Sequence, residues 1–139
     1  MSGHCKTHYC NSPFQIAFSI ALTAVAVLVM AGCKNAEDQL SLAEQYVGDE
    51  EHEMAMAAYN RAIELKPDNA HAYGHLAWVL STAPGAVLRN GMRALELAER
   101  AVRLDRTAHN LDALSAAYAE MGRFEEATKT QSQAIALAK

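Results

Sequence analysis

The stretch AYAEMGRFEEA occupies residues 117–127 and decides how the rest of the chain is read. Apolar and small residues at helical spacing run into Gly122, and a second helical pattern leaves at Phe124. Gly122 stands where a helix would end in the left-handed conformation that a side chain disfavours, with Phe124 packing just after it. Leu111, Leu114 and Tyr118 lie before that glycine, and Ala127, Ala134, Ile135 and Leu137 lie after it. Working back toward Ala36, the same order of residues restarts about every 34 positions, so the chain is a repeat.

In the first unit Leu42 and Tyr46 precede the turn at Gly48 and Asp49, and Ala55, Tyr59, Ala62, Ile63 and Leu65 follow it up to Pro67. Pro67 stops the second helix. The acidic run Asp49, Glu50 and Glu51 then stands at the start of that helix, opposing the positive end of its dipole. A calcium loop would need alternating oxygens and a glycine at the bend. In the middle unit Tyr73, Leu76, Ala77 and Leu80 make one helix, and Ala94, Ala98, Ala101, Val102 and Leu104 make the next. Between them the connection over residues 84–91, PGAVLRNG, is longer than in the other units.

These offsets resemble the tetratricopeptide-repeat (TPR) family. The resemblance implies an all-α solenoid of three helical hairpins, six helices, over residues 36–69, 70–107 and 108–139. The middle unit, with Trp78, Leu80, Thr82, Pro84, Arg89, Asn90 and Gly91, resembles a recurrent bacterial subtype. Locally, Asn90 would cap the following helix, Gly91 would relieve the turn, and Arg89 would reach the carbonyls ending the preceding helix. The longer loop could also extend a binding surface.

Residues 1–32 read differently. No charge occurs between Pro13 and Cys33, and residues 16–32 are continuously apolar or small, as a membrane-inserting segment would be. The tetrapeptide Met30-Ala31-Gly32-Cys33 resembles the lipobox of bacterial lipoproteins. That resemblance implies a signal peptide over residues 1–32, cleavage before Cys33, lipidation of its thiol, and a short tether over residues 33–35. Several acyl chains on one residue anchor stably where a single chain does not. An uncleaved transmembrane helix is the other reading of the same run. Lys34 stands where Asp would suggest inner-membrane retention, so the implied location is the outer membrane, facing the periplasm. Upstream, His4, Cys5, His8 and Cys10 have metal-ligand residue types but no second lobe to close a shell, and they precede the expected cut.

Composition excludes several functions. With 12 Lys and Arg against 16 Asp and Glu there is no broad positive field for nucleic acid. Residues 36–69 hold nine acidic and two basic groups, and residues 70–107 three acidic and five basic, so a partner would meet a polarised surface. No nucleophile, base and orienting group assemble, and no phosphate loop occurs, so the chain does not read as an enzyme and calls for no cofactor. The strongest candidate for chemistry is His71 with His75, whose spacing puts both imidazoles on one helical face. A full site needs a third ligand, and HAYGH lacks the Glu of a metalloprotease helix, so no metal site is assigned.

The TPR resemblance instead implies a groove that holds a protein segment, lined by the first helix of each hairpin. Its inward offsets fall on Glu37, Leu40 and Glu44, then His71, Gly74, Trp78 and Ser81, then His109, Asp112, Ala116 and Glu120. None of these is Lys, Arg or Asn, so a carboxylate clamp is not expected. Acid around Trp78, with Gly74 opening space beside it, would suit an apolar ligand with basic flanks. Alternatively Trp78 folds under the loop over residues 84–91 as core. The function implied is a lipid-anchored adaptor or assembly factor. A regulator of peptidoglycan enzymes and, more distantly, a metal-dependent enzyme carried by the histidine pair are the alternatives. Ala134, Ile135 and Leu137 form an apolar C-terminal edge where weak self-association is expected.

Overall fold

The computed structural model describes residues 35–139. The apolar run, Cys33 and the amino-terminal His and Cys cluster lie outside the described residues. Six helices follow in order: α1 (Ala36–Gly48), α2 (His52–Leu65), α3 (Ala70–Thr82), α4 (Gly91–Leu104), α5 (Ala108–Glu120) and α6 (Phe124–Leu137). No described helix is long and apolar enough to cross a membrane.

Capping side chains start four of the helices. Asn35, Asn69, Asn90 and Thr107 each accept a hydrogen bond from the backbone N–H three residues on, at 2.8–3.2 Å. Each satisfies a donor that the helix itself leaves free. Helices α2 and α6 have no side-chain cap. They begin directly out of a tight turn in which the Glu51 N–H donates to Tyr46 and the Arg123 N–H to Tyr118, at 2.8 and 2.9 Å. The acidic run therefore splits: Asp49 and Glu50 belong to the turn, Glu51 is the N-cap residue, and Glu53 is the carboxylate in the first turn of α2.

Alanine sets the helix spacing. Ala43, Ala55, Ala58, Ala62, Ala77, Ala94, Ala98, Ala113 and Ala117 are fully buried, and with no side chain beyond Cβ they let the paired backbones approach closely. Helices pair as α1 with α2, α3 with α4 and α5 with α6. The hairpins then stack, α2 on α3, α4 on α5, and α3 directly on α5. Tyr59 and Leu76 are the large fully buried side chains within that core. Burying a side chain such as Leu76 contributes about 2–3 kcal/mol. Tyr73 and Arg100 both donate to the carbonyl of Pro67, tying the stop of α2 to the middle hairpin.

The third hairpin departs from expectation at its outer face. Phe124 is 67% exposed rather than packed behind Gly122, whereas Ile135 and Leu137 are exposed as the apolar C-terminal edge requires, with no described element covering them. Ala134 points inward and is buried, so it is not part of the apolar edge.

The turns of the first and third hairpins have one geometry and different residues. Gly122 takes the left-handed conformation, φ +73°, as the sequence predicts. In the first hairpin that conformation falls on Glu50, φ 61°, not on Gly48. The two turns share their hydrogen bonds, Glu50 N–H to Val47 and Gly122 N–H to Ala119, so the place in the turn sets the dihedral whatever residue fills it. A side chain there opposes the conformation by about 1 kcal/mol. Glu50→Gly is therefore expected to raise stability by about 0.5–1 kcal/mol and Gly122→Ala to lower it by about 1 kcal/mol, read from urea denaturation midpoints.

Candidate functional site

The three first helices, α1, α3 and α5, contain no Lys or Arg. Side chains from all three meet at one place. His71 Nε2 on α3 lies 3.0 Å from Glu44 Oε1 on α1. One turn on, the His75 ring is 4.1 Å from His71 and 4.3 Å from His109 of α5, centroid to centroid. His71 and His109 are 5.8 Å apart. The ring of Tyr59 on α2 stacks on His75 at 5.6 Å. Three imidazoles thus form a continuous tilted stack with a carboxylate at one end and a buried phenol behind it.

Two of the rings, His75 and His109, are biased toward the neutral form. Burial first, then the neighbouring His109 and His71, push His75 down from the ordinary 6.5 to about 3. Burial and His71 also lower His109, with Asp112 opposing them. Tyr59 is fully buried, its hydroxyl has no hydrogen-bond partner among the described residues, and burial together with the Glu44 charge raises its pKa. The phenol therefore stays protonated and keeps a donor to give. Glu44, His71 and His75 offer ligand atoms that all lie within 4.8 Å of one another.

The eleven expected groove positions separate by burial. Glu37, Glu44, His71, Trp78, His109 and Glu120 are exposed, and Leu40, Asp112 and Ala116 are half-buried. Gly74 and Ser81 are buried and line no open surface. Ser81 donates back to the Ala77 carbonyl at 2.9 Å. Gly74 opens no space beside Trp78: a Cβ there would collide with the Asn110 side-chain oxygen, so the glycine exists to let α3 and α5 touch. His75, which shares a helical face with His71, is the centre of the imidazole stack.

Trp78 keeps 37% of its surface open, so it is not enclosed as core beneath the loop. That loop is held by local chemistry. Asn90 caps α4, its N–H donates to the Leu80 carbonyl at 2.9 Å, and Arg89 donates to the Ala83 carbonyl at 3.1 Å. Arg89 also pairs with Glu120 of α5 at 3.1 Å, and Lys66 stands 3.9 Å from Glu37. Basic groups from the connections thus meet the acidic wall at Glu37 and Glu120. At Gly91 an added Cβ would press on Met121 and Glu120 at 3.0 and 3.1 Å, so this glycine serves close approach to α5 rather than the turn itself.

The TPR resemblance implied that Glu44, His71 and His109 share a wall. It did not identify Tyr59 or the central position of His75, because α2 and the tilt between repeats bring those rings together. Helical register alone carried the signal: residues in corresponding places on successive first helices become neighbours.

The tetratricopeptide-repeat family model matches residues 40–69 and 108–139, the first and third hairpins. The hairpin with the long connection is the one left unmatched. Two crystal structures of MamA protein are similar in fold. One has 23% sequence identity and a TM-score of 0.63 over 84% of this chain and 64% of that one. The other has 22% identity and the same TM-score over 86% and 70%. The chain thus spans a little under two thirds of the first of these. No curated protein sequence matches. The fold is an all-α TPR solenoid.

Neutral His75 makes stability depend on pH. Below about 6.5 an unfolded histidine takes up a proton, whereas folded His75 resists until about 3. The unfolded state then binds more protons, so stability is full above about 6.5 and is lost as pH falls toward 3. Thermal melts in a chelating buffer between pH 7 and 5 are expected to show Tm falling less steeply for His75→Phe than for the parent protein. Equal slopes would mean that His75 titrates alike in both states.

Proposed function

We propose that this TPR solenoid is a protein-binding adaptor, held at a membrane through Cys33, that captures a segment of another protein on the wall formed by α1, α3 and α5. The observation that carries the reading is Trp78, a large aromatic left 37% exposed on a first helix whose other large apolar side chains are buried. An indole kept partly in water leaves apolar area open to a partner. On a partly enclosed wall it is the kind of residue that dominates binding energy. The wall carries no fixed positive charge of its own, which favours an apolar ligand with basic flanks over an acidic one. With Glu37 and Glu120 facing basic residues and Glu44 held by His71, Asp112 is the groove carboxylate left to meet such flanks. The adaptor reading has two tests, one for the wall and one for the anchor.

Trp78→Ala is expected to weaken partner binding by about 2 kcal/mol, roughly thirtyfold, while Tm barely moves. The partner would be recovered by crosslinking on intact cells, and the loss measured by calorimetry on the identified segment. A large drop in Tm with unchanged affinity would return Trp78 to a structural role.

The membrane part rests on the lipobox-like tetrapeptide ending at Cys33. Cys33→Ala is expected to leave an uncut precursor lacking acyl groups. Mass spectrometry of the membrane fraction decides it: an intact Met1 N-terminus with no acylation in the parent protein would make the anchor a plain apolar helix.

A further inference from the structure

We propose that Glu44, His71 and His75, with His109 as fourth donor, form a binding site for a divalent transition-metal ion of the zinc class that crosslinks the first helices of all three repeats.

The ligand set is of the right chemistry. Imidazole nitrogen with one carboxylate oxygen suits zinc and its neighbours, whereas calcium and magnesium take oxygen alone. A tetrahedral ion with bonds of about 2.0–2.1 Å sets its donors about 3.3 Å apart. The Glu44 and His71 atoms stand 3.0 Å apart in a hydrogen bond, close to that separation, and an ion would replace the proton between them. No pair among Glu44, His71 and His75 exceeds 4.8 Å, so the site closes by about 1.5 Å at most, within side-chain rotation. His109 lies against His75 with ring centroids 4.3 Å apart, and its ring would have to turn to bring a nitrogen to the ion as the fourth donor.

The surroundings favour a cation. A neutral imidazole is the form that ligates. No Lys or Arg projects from α1, α3 or α5 to compete. Behind the cluster the Tyr59 hydroxyl is buried without a hydrogen-bond partner among the described residues, and it feels the Glu44 charge. It is available to donate to the ligating carboxylate, the role that second partners play around metal ligands. A bound ion would tie α1 to α3 and α5, three helices belonging to three different repeats, and would therefore stabilise the array as a whole.

The test uses the full chain in detergent, purified without a histidine tag, with zinc titrated by calorimetry and cobalt(II) by visible absorption. One equivalent of zinc is expected, together with an upward shift in Tm. Affinity should fall about tenfold or more in Glu44→Gln and in His71→Ala, and less in His109→Ala, with helicity by circular dichroism unchanged. Cobalt should show ligand-field bands without thiolate charge transfer. Zinc uptake equal in the parent and in His71→Ala would overturn the proposal. So would thiolate bands that persist in Glu44→Gln, since they would place the ion on Cys5 and Cys10 instead.

Discussion

Helix backbones in this protein approach closely enough that only alanine or glycine fits between many of them, and the rest of the structure depends on that approach. The fully buried alanines run through the interfaces of the hairpins. Where the first helices of neighbouring repeats touch directly, the requirement tightens to glycine, because a Cβ at Gly74 would collide with Asn110. Gly91 meets the same demand against the end of α5. The consequence is functional as well as structural. With α3 packed directly on α5, the His75 and His109 rings lie 4.3 Å apart.

That close stacking concentrates polar groups on one wall and then governs their charge. Three imidazoles in contact cannot all be protonated without mutual repulsion, and burial of the central ring works in the same direction. The neutral form is therefore favoured at His75 and His109. Basic side chains meet it only from the connections, where Arg89 joins the end of α3 to Glu120 of α5. The long connection in the middle hairpin is thus a tie between repeats. It uses an arginine to satisfy a helix-end carbonyl and a neighbouring carboxylate together, leaving Val87 exposed at its tip.

The two uses of the wall, gripping a protein segment and holding an ion, fall on different residues of the same helices. Trp78 lies two turns along α3 from His71 and offers apolar area, whereas the histidine cluster sits near the helix start and offers donors. An ion there would fix the spacing of the first helices, and with it the shape of the surface on which a segment lies.

Helical periodicity, the Ala positions, Pro67 and the Gly122 turn were enough to determine six helices in three hairpins from the amino-acid order, because each is a local signal repeated at a fixed period. Asn90 as a cap and Arg89 as a carbonyl ligand were equally legible, since turn chemistry is decided within a few residues. Tertiary structure decided the rest. The left-handed place in the first turn fell on Glu50 because the hydrogen bonds of the turn, not the nearest glycine, select it. Gly74 proved to be a contact rather than an opening, and Phe124 an exposed ring rather than a packed one. Above all, residues 27 positions apart, Glu44 and His71, became hydrogen-bonding neighbours. Sequence shows that they share a register; only the rotation of one hairpin on the next brings their atoms within reach.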